Sequence, residues 1–144
     1  MIRKARPEDH AELRRLWLSL FPDDTLDADR AIAALTDGQR RAALFVAERD
    51  RGGLMGFLEV GTRPYAEGCD STPVAFVEAW YVDQDMRRSG VGRALFAAAE
   101  QWGRDEGLTE IASDTLIDNE TSIAAHKAMG YEEVERIVCF RRDL

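Results

Sequence analysis

Residues 85–96, DMRRSGVGRALF, set Arg87, Arg88 and Arg93 beside Gly90 and Gly92 where an apolar helical spacing begins. A helix start leaves backbone N–H groups unpaired and carries the positive end of the helix dipole, and glycine lets an anion come close to the backbone. That combination suits a pyrophosphate. The spacing R-x-x-G-x-G (Arg87, Gly90, Gly92) is neither the dinucleotide fingerprint GxGxxG nor the P-loop GxxxxGK[ST], and a basic loop that merely opens a helix has the same letters. Glu78 interrupts the otherwise apolar run VAFVEAWYV, residues 74–82, where an unpaired carboxylate costs several kcal/mol. It is either tied in a buried salt bridge, or it holds a cationic group or accepts its proton through water. Asp114 ends the next strand-like run on the same sheet edge, and is either a second carboxylate facing a cavity or a turn residue before LIDNE. Asn119 has the same ambiguity at a helix start. His126 shares a stripe with Ile123 and Met129, as a satisfied core residue or as a group that exchanges protons near neutral pH.

These residues need elements to position them. IRKAR reads as a first strand ended by Pro7, and Leu13, Leu16, Trp17, Leu20 and Phe21 recur as the stripe of a helix that stops before Pro22. A second helix is expected over 27–37, with Ala28, Ala31, Ile32 and Leu35 on one face. ALFVAE and LMGFLEV form a hairpin across DRGG, and RPYAEGCDSTP is an exposed loop. VAFVEAWYV is a central strand, apolar on both faces. Val91, Leu95, Ala98 and Trp102 line a helix that runs to about Glu106. TEIASD is a strand, 119–129 a helix, and YEEVERIVCF one or two final strands. Strands and helices alternate in a mixed α/β order, with a parallel crossover in the middle.

Composition narrows the classes. The 144 residues, 45% apolar, suit a single domain around one core. Nothing reaches the roughly 18 apolar residues of a membrane span, and the charged start MIRKARPEDHAELRRLW lacks the apolar core of a signal peptide, so a cytoplasmic protein is expected. Nineteen basic against 27 acidic residues, a net charge of −8, disfavour nucleic acid and favour cationic ligands. Cys69 and Cys139 have neither CxxC nor paired-His spacing and are expected to be free thiols without a metal.

With the loop, its preceding strand and the element order together, the chain resembles the GNAT superfamily of acetyl-CoA-dependent N-acetyltransferases over essentially its whole length. The resemblance implies an α/β fold, a mixed central sheet of about six or seven strands flanked by about four helices, with acetyl-CoA as co-substrate. It implies that Arg88, Ser89, Gly90, Val91, Gly92 and Arg93 surround the pyrophosphate, that Trp80, Tyr81 and Val82 line the pantetheine and thioester, and that Asn119 contacts the cofactor. The family's helix usually ends Y-x-x-x-G-[FY]. Here it ends HKAMGY, so His126 stands where a tyrosine serves as general acid for the departing thiolate. Either histidine donates that proton or the thiolate leaves unaided.

RPYAEGCDSTPVAFVEAWYV, EIASDT and HKAMGYEEVERIVCF further resemble the bacterial aminoglycoside 6′-N-acetyltransferases. That branch implies a homodimer, with Tyr65, Glu78, Asp114 and Glu135 against a polycationic drug, and with them Glu78, Asp114 and His126 are the candidate catalytic residues. Phe21 before Pro22 replaces the usual tryptophan, and Asp24 nearby adds to the acidic lining. Transfer is expected to be direct within a ternary complex, because neither Cys69 nor Cys139 has a base beside it in sequence. The rival expectations are a polyamine, small-amine or protein N-acetyltransferase on the same fold, and an acyl-CoA sensor without turnover.

Overall fold

Successive side chains of ALFVAE alternate between two faces, and both faces are apolar, so this strand belongs in a sheet covered on both sides. The computed structural model, which describes every residue except Leu26 and Gln39, builds that sheet from β1 (Ile2–Lys4), β2 (Ala43–Glu48), β3 (Leu54–Arg63), β4 (Val74–Val82) and β5 (Ile111–Ser113). They lie side by side in chain order. The first four are antiparallel to their neighbours, and β5 runs parallel to β4. Ala43, Phe45 and Ala47 meet Leu95, Phe96 and Ala99 of α3 (Val91–Asp105) on one face. Leu44 and Val46 meet α1 (His10–Leu20) and α2 (Ala28–Thr36) on the other. A fourth helix, α4 (Glu120–Ala128), follows β5.

The local signals place most of these boundaries. Phe21 N–H still reaches Trp17 O at 2.7 Å, and Pro22 allows the helix no further turn. In the DRGG turn, Gly52 and Gly53 take φ of +94° and +82°, and Arg49 N–H closes the hairpin on Gly53 O at 3.0 Å. No described helix is long and apolar enough to cross a membrane.

One feature of the sheet shapes the site. Glu59 of β3 pairs with Ala79, but the next residue, Val60, pairs with Val77, so Glu78 is an extra residue in a β-bulge. Val77 faces α3, whereas Ala79 packs in the cluster under α1 and α2. The bulge thus turns Glu78 to the α1 and α2 side.

The sheet has five strands among the described residues, not the six or seven expected. The missing ones fall in YEEVERIVCF, which pairs with no strand and leaves Val134, Ile137, Val138 and Phe140 exposed. β-propensity is local, whereas a strand exists only as half of a ladder, and the segment forms none along the three-residue β5. Val134 rests on the bare backbone of Gly68, and every residue from Glu135 onward is exposed. The flanking strands are also shorter than expected, Ile2–Lys4 within 2–6 and Ile111–Ser113 within 109–114.

Candidate active site

The RRSGVG segment forms a tight loop that opens α3. Arg88 takes φ of +63° and Gly90 φ of +86°, so two left-handed residues fold the backbone just before the helix. The first helical bond runs from Ala94 N–H to Gly90 O at 3.0 Å, which leaves the N–H groups of Val91, Gly92 and Arg93 without intrahelical acceptors. The side chains around them divide. Arg87 donates from Nε to Val82 O at 3.0 Å, Arg93 donates to Ala128 O at 2.8 Å, and Ser89 Oγ donates to Met86 O. Arg88 alone among these arginines makes no hydrogen bond or ion pair within the described residues. The two glycines serve different needs: nothing lies within 4 Å of a Cβ at Gly90, while one at Gly92 would sit 2.6 Å from Cζ2 of Trp80.

The loop is anchored from below by Asp83, which is buried. Arg15 of α1 donates to both of its oxygens at 3.0 Å, and Arg49 from the hairpin donates to Oδ2 at 3.0 Å. Burial works against the Asp83 charge, but these guanidinium bonds outweigh it and hold the carboxyl below the usual carboxylate range.

Beyond Val77 and Ser113 the β4–β5 ladder stops, and the rest of β4 parts from β5. Trp80 lies at this parting, with Phe96 edge-on at 4.9 Å and His126 edge-on at 5.7 Å. Its indole Nε1–H is buried without a partner among the described residues, which is costly unless a ligand accepts from it. His126 has both nitrogens engaged. Nδ1 lies 2.7 Å from the carbonyl oxygen of Ser122 and must donate there, so in the neutral ring Nε2 accepts from Ser113 Oγ at 2.9 Å. A general-acid role for His126 therefore requires a second proton on Nε2. Asn119 caps α4, its side-chain oxygen accepting from Ser122 N–H at 3.1 Å, which leaves its amide N–H groups to donate to a ligand.

On the other face of the sheet, Trp17, Phe21, Asp24, Arg40, Glu59 and Glu78 surround a cleft of about 480 Å³. Phe21, Asp24 and Glu78 come together here as the sequence suggests. Glu78 is not buried in the strand, because the bulge opens it to the cleft, and Arg63 grips both of its oxygens at 2.8 and 2.7 Å. Arg63 also lies over the Phe76 ring at 3.6 Å. Asp24 accepts from Trp17 Nε1 at 2.7 Å. Burial, and then the nearby charge of Glu78, push the Glu59 carboxyl above its ordinary range, with Arg40 offsetting part of the effect.

Three expected drug contacts do not line this cleft. Tyr65 stands exposed on its loop, which Glu110 pins by accepting from the backbone N–H of Asp70 at 2.9 Å and of Ser71 at 2.7 Å. Asp114 is exposed just past β5, one strand away from β4, and reaches the cleft only through its charge on Arg63. Glu135 lies on the unpaired arm. Arg63, Ser113, Arg40 and Glu59 escaped the sequence reading. Only Glu59 carried a signal, the same one as Glu78: a charge inside an apolar strand.

Among the described residues no three His, Cys, Asp or Glu side chains cluster as metal ligands, and both cysteines are free. The sequence model of the acetyltransferase (GNAT) family matches residues 7–131. An aminoglycoside N(6′)-acetyltransferase type 1 from Klebsiella aerogenes is 43% identical over 147 aligned positions, covering 100% of this chain and 97% of the relative. One from Stenotrophomonas maltophilia is also 43% identical, covering 99% and 93%. Among solved structures, AAC(6′)-Iy in complex with the bisubstrate analogue CoA-S-monomethyl-acetylneamine superposes with a TM-score of 0.92 at 35% identity, covering 100% of this chain and 98% of that one. The aminoglycoside 6′-N-acetyltransferase AAC(6′)-Ih from Acinetobacter baumannii gives 0.93 at 30% identity with the same coverage.

Proposed function

The chain belongs to the acetyltransferase (GNAT) family, and from that premise we propose that it transfers an acetyl group from acetyl-CoA to the 6′-amino group of an aminoglycoside. The observation that carries this reading is the pairing of two unsatisfied sites. Bare N–H groups at the start of α3 and the orphan indole N–H of Trp80 await hydrogen-bond acceptors, while across the sheet an acidic cleft awaits cations. The bulge at Glu78 stands between them.

The residues fit acetyl-CoA. The backbone of Arg88, Ser89, Gly90, Val91, Gly92 and Arg93 would hold the pyrophosphate, with the Arg88 guanidinium free to add charge, and Trp80, Tyr81 and Val82 would line the acyl arm. When bound, the thioester supplies an activated acetyl carbonyl. The protein's own part is to position and to manage protons. Asp24, Glu59 and Glu78 draw an ammonium group into the cleft, and the nitrogen must shed a proton to a carboxylate or to water before its lone pair can react. Asn119 adds amide donors beside the parting of the strands, and Asp114 and Glu135 extend the negative field outside the cleft. Transfer is direct, without an acetylated side chain. The relatives' substrates support the choice of aminoglycoside, and the net charge of −8 suits a polycation.

The reading includes a single catalytic domain, a cytoplasmic location where acetyl-CoA is available, and a homodimer. The exposed apolar arm after Tyr131 supports the dimer, because a second copy offers cover that one chain lacks. Release of free CoA from acetyl-CoA is the test, with kanamycin, tobramycin and spermidine offered in parallel on a sample whose mass is measured by sedimentation. The aminoglycosides should give the higher kcat/KM. A preference for spermidine would leave the family standing and remove the drug assignment.

A further inference from the structure

We propose that Glu59 is the carboxylate on which an ammonium group of the bound aminoglycoside docks, an assignment that rests on the function proposed above. Three acidic side chains line the cleft, and two already have partners. Glu78 gives both oxygens to Arg63, and Asp24 accepts from the Trp17 indole. Glu59 makes no hydrogen bond or ion pair with any described residue, although its side chain is half-buried on β3.

The difference decides where a cation binds. An ammonium group that pairs with Glu78 must first displace a bidentate guanidinium, whose planar fork also lies on Phe76. One that pairs with Asp24 must break an existing hydrogen bond. At Glu59 nothing is broken. The approaching cation there relieves both burial and the repulsion from Glu78, the two causes that push this carboxyl upward. The charged groups facing Glu59 are Glu78 from β4, Asp24 beyond α1, and Arg40 ahead of β2. Arg40 is the one cation among the described residues lining the cleft, and its charge offsets part of the effect at Glu59, but it makes no hydrogen bond or ion pair with that carboxylate, whose oxygens stay open to a ligand ammonium.

The position suits the reaction. Glu59 pairs in register with Ala79, directly beside the bulge that aims Glu78 and beside the part of β4 that leads to Trp80. An ammonium held there is adjacent to the strand that lines the proposed acyl site. The sequence places a carboxylate at this point of an apolar strand, where packing alone would select valine or leucine.

Glu59→Gln is the test, since it keeps the size and removes the charge while leaving the Arg63–Glu78 pair in place. Acetyl transfer to kanamycin and thermal unfolding are measured on the same sample. KM for kanamycin should rise by about 10- to 100-fold, the worth of a charge-assisted hydrogen bond. KM for acetyl-CoA should stay unchanged, and Tm at pH 7 should rise, because an unpaired half-buried charge has been removed. Glu59→Asp, which keeps the charge on a shorter arm, should recover part of the affinity. A kanamycin KM within about twofold of wild type in folded Glu59→Gln overturns the proposal. So does a lowered Tm with KM for both substrates raised together, which marks a structural role. Wild-type protein that binds acetyl-CoA but never acetylates kanamycin overturns the aminoglycoside function, and this assignment with it.

Discussion

Replacing Gly92 with alanine tests how the start of α3 is seated against Trp80. The added Cβ would lie 2.6 Å from Cζ2, 3.3 Å from Cε2 and 3.4 Å from Nε1 of that ring. Carbon atoms in contact prefer about 3.5–4.0 Å, so ring or helix must shift by about 1 Å. The ring has little room, with Phe96 edge-on at 4.9 Å and His126 at 5.7 Å. Overpacking of this kind costs about 1–3 kcal/mol. At about 2–4 °C per kcal/mol for a chain near this length, Tm should fall by about 2–12 °C. Moving Trp80 also misplaces the group proposed to line the thioester, so KM for acetyl-CoA should rise by about tenfold. Gly90→Ala is the matched control: it meets no atom within 4 Å but must hold φ near +86°, a backbone strain of about 1 kcal/mol. Differential scanning calorimetry and acetyl-CoA kinetics read both variants. Wild-type Tm and KM in Gly92→Ala, or a larger loss in Gly90→Ala, would refute the seating argument.

Asp83→Asn should lower stability by about 2 kcal/mol at pH 7, because two arginines lose a charged acceptor. The Asp83 carboxyl is held below its unfolded value, so its contribution is complete above that value, about pH 4, and is lost as pH falls through the folded one. Urea melts of both proteins should therefore converge in acid, and a gap that stays constant from pH 7 to pH 2 would contradict the ion-pair account. His126→Ala should lower Tm by leaving a void among Trp80, Phe96 and Tyr131, while kcat per folded molecule falls by less than about tenfold, since both ring nitrogens are already engaged, Nδ1 with Ser122 O and Nε2 with Ser113 Oγ. A loss of about 10²-fold in kcat with normal folding would instead restore His126 as the acid for the thiolate.

Periodicity and turn chemistry carried much of this protein at the level of the letters. The hairpin across DRGG, the stripes of α1 and α3, and the glycine-opened helix start all arise from contacts within a few residues, and each emerged where the pattern placed it. The geometry of the loop was legible too, because unpaired N–H groups at a helix start follow from helix geometry alone. The cleft was not. Arg63 and Glu78 are 15 residues apart and meet only because β3 and β4 pair in one register, with one bulge that turns Glu78 outward. Glu59 reaches the cleft wall through the same register and Asp24 through the packing of α1 on that face, where Trp17 donates to it, since how distant side chains pack decides both and no local period reports it. The C-terminal arm shows the converse: YEEVERIVCF has the composition of a strand, but a ladder needs a second backbone, and none of the described residues supplies it.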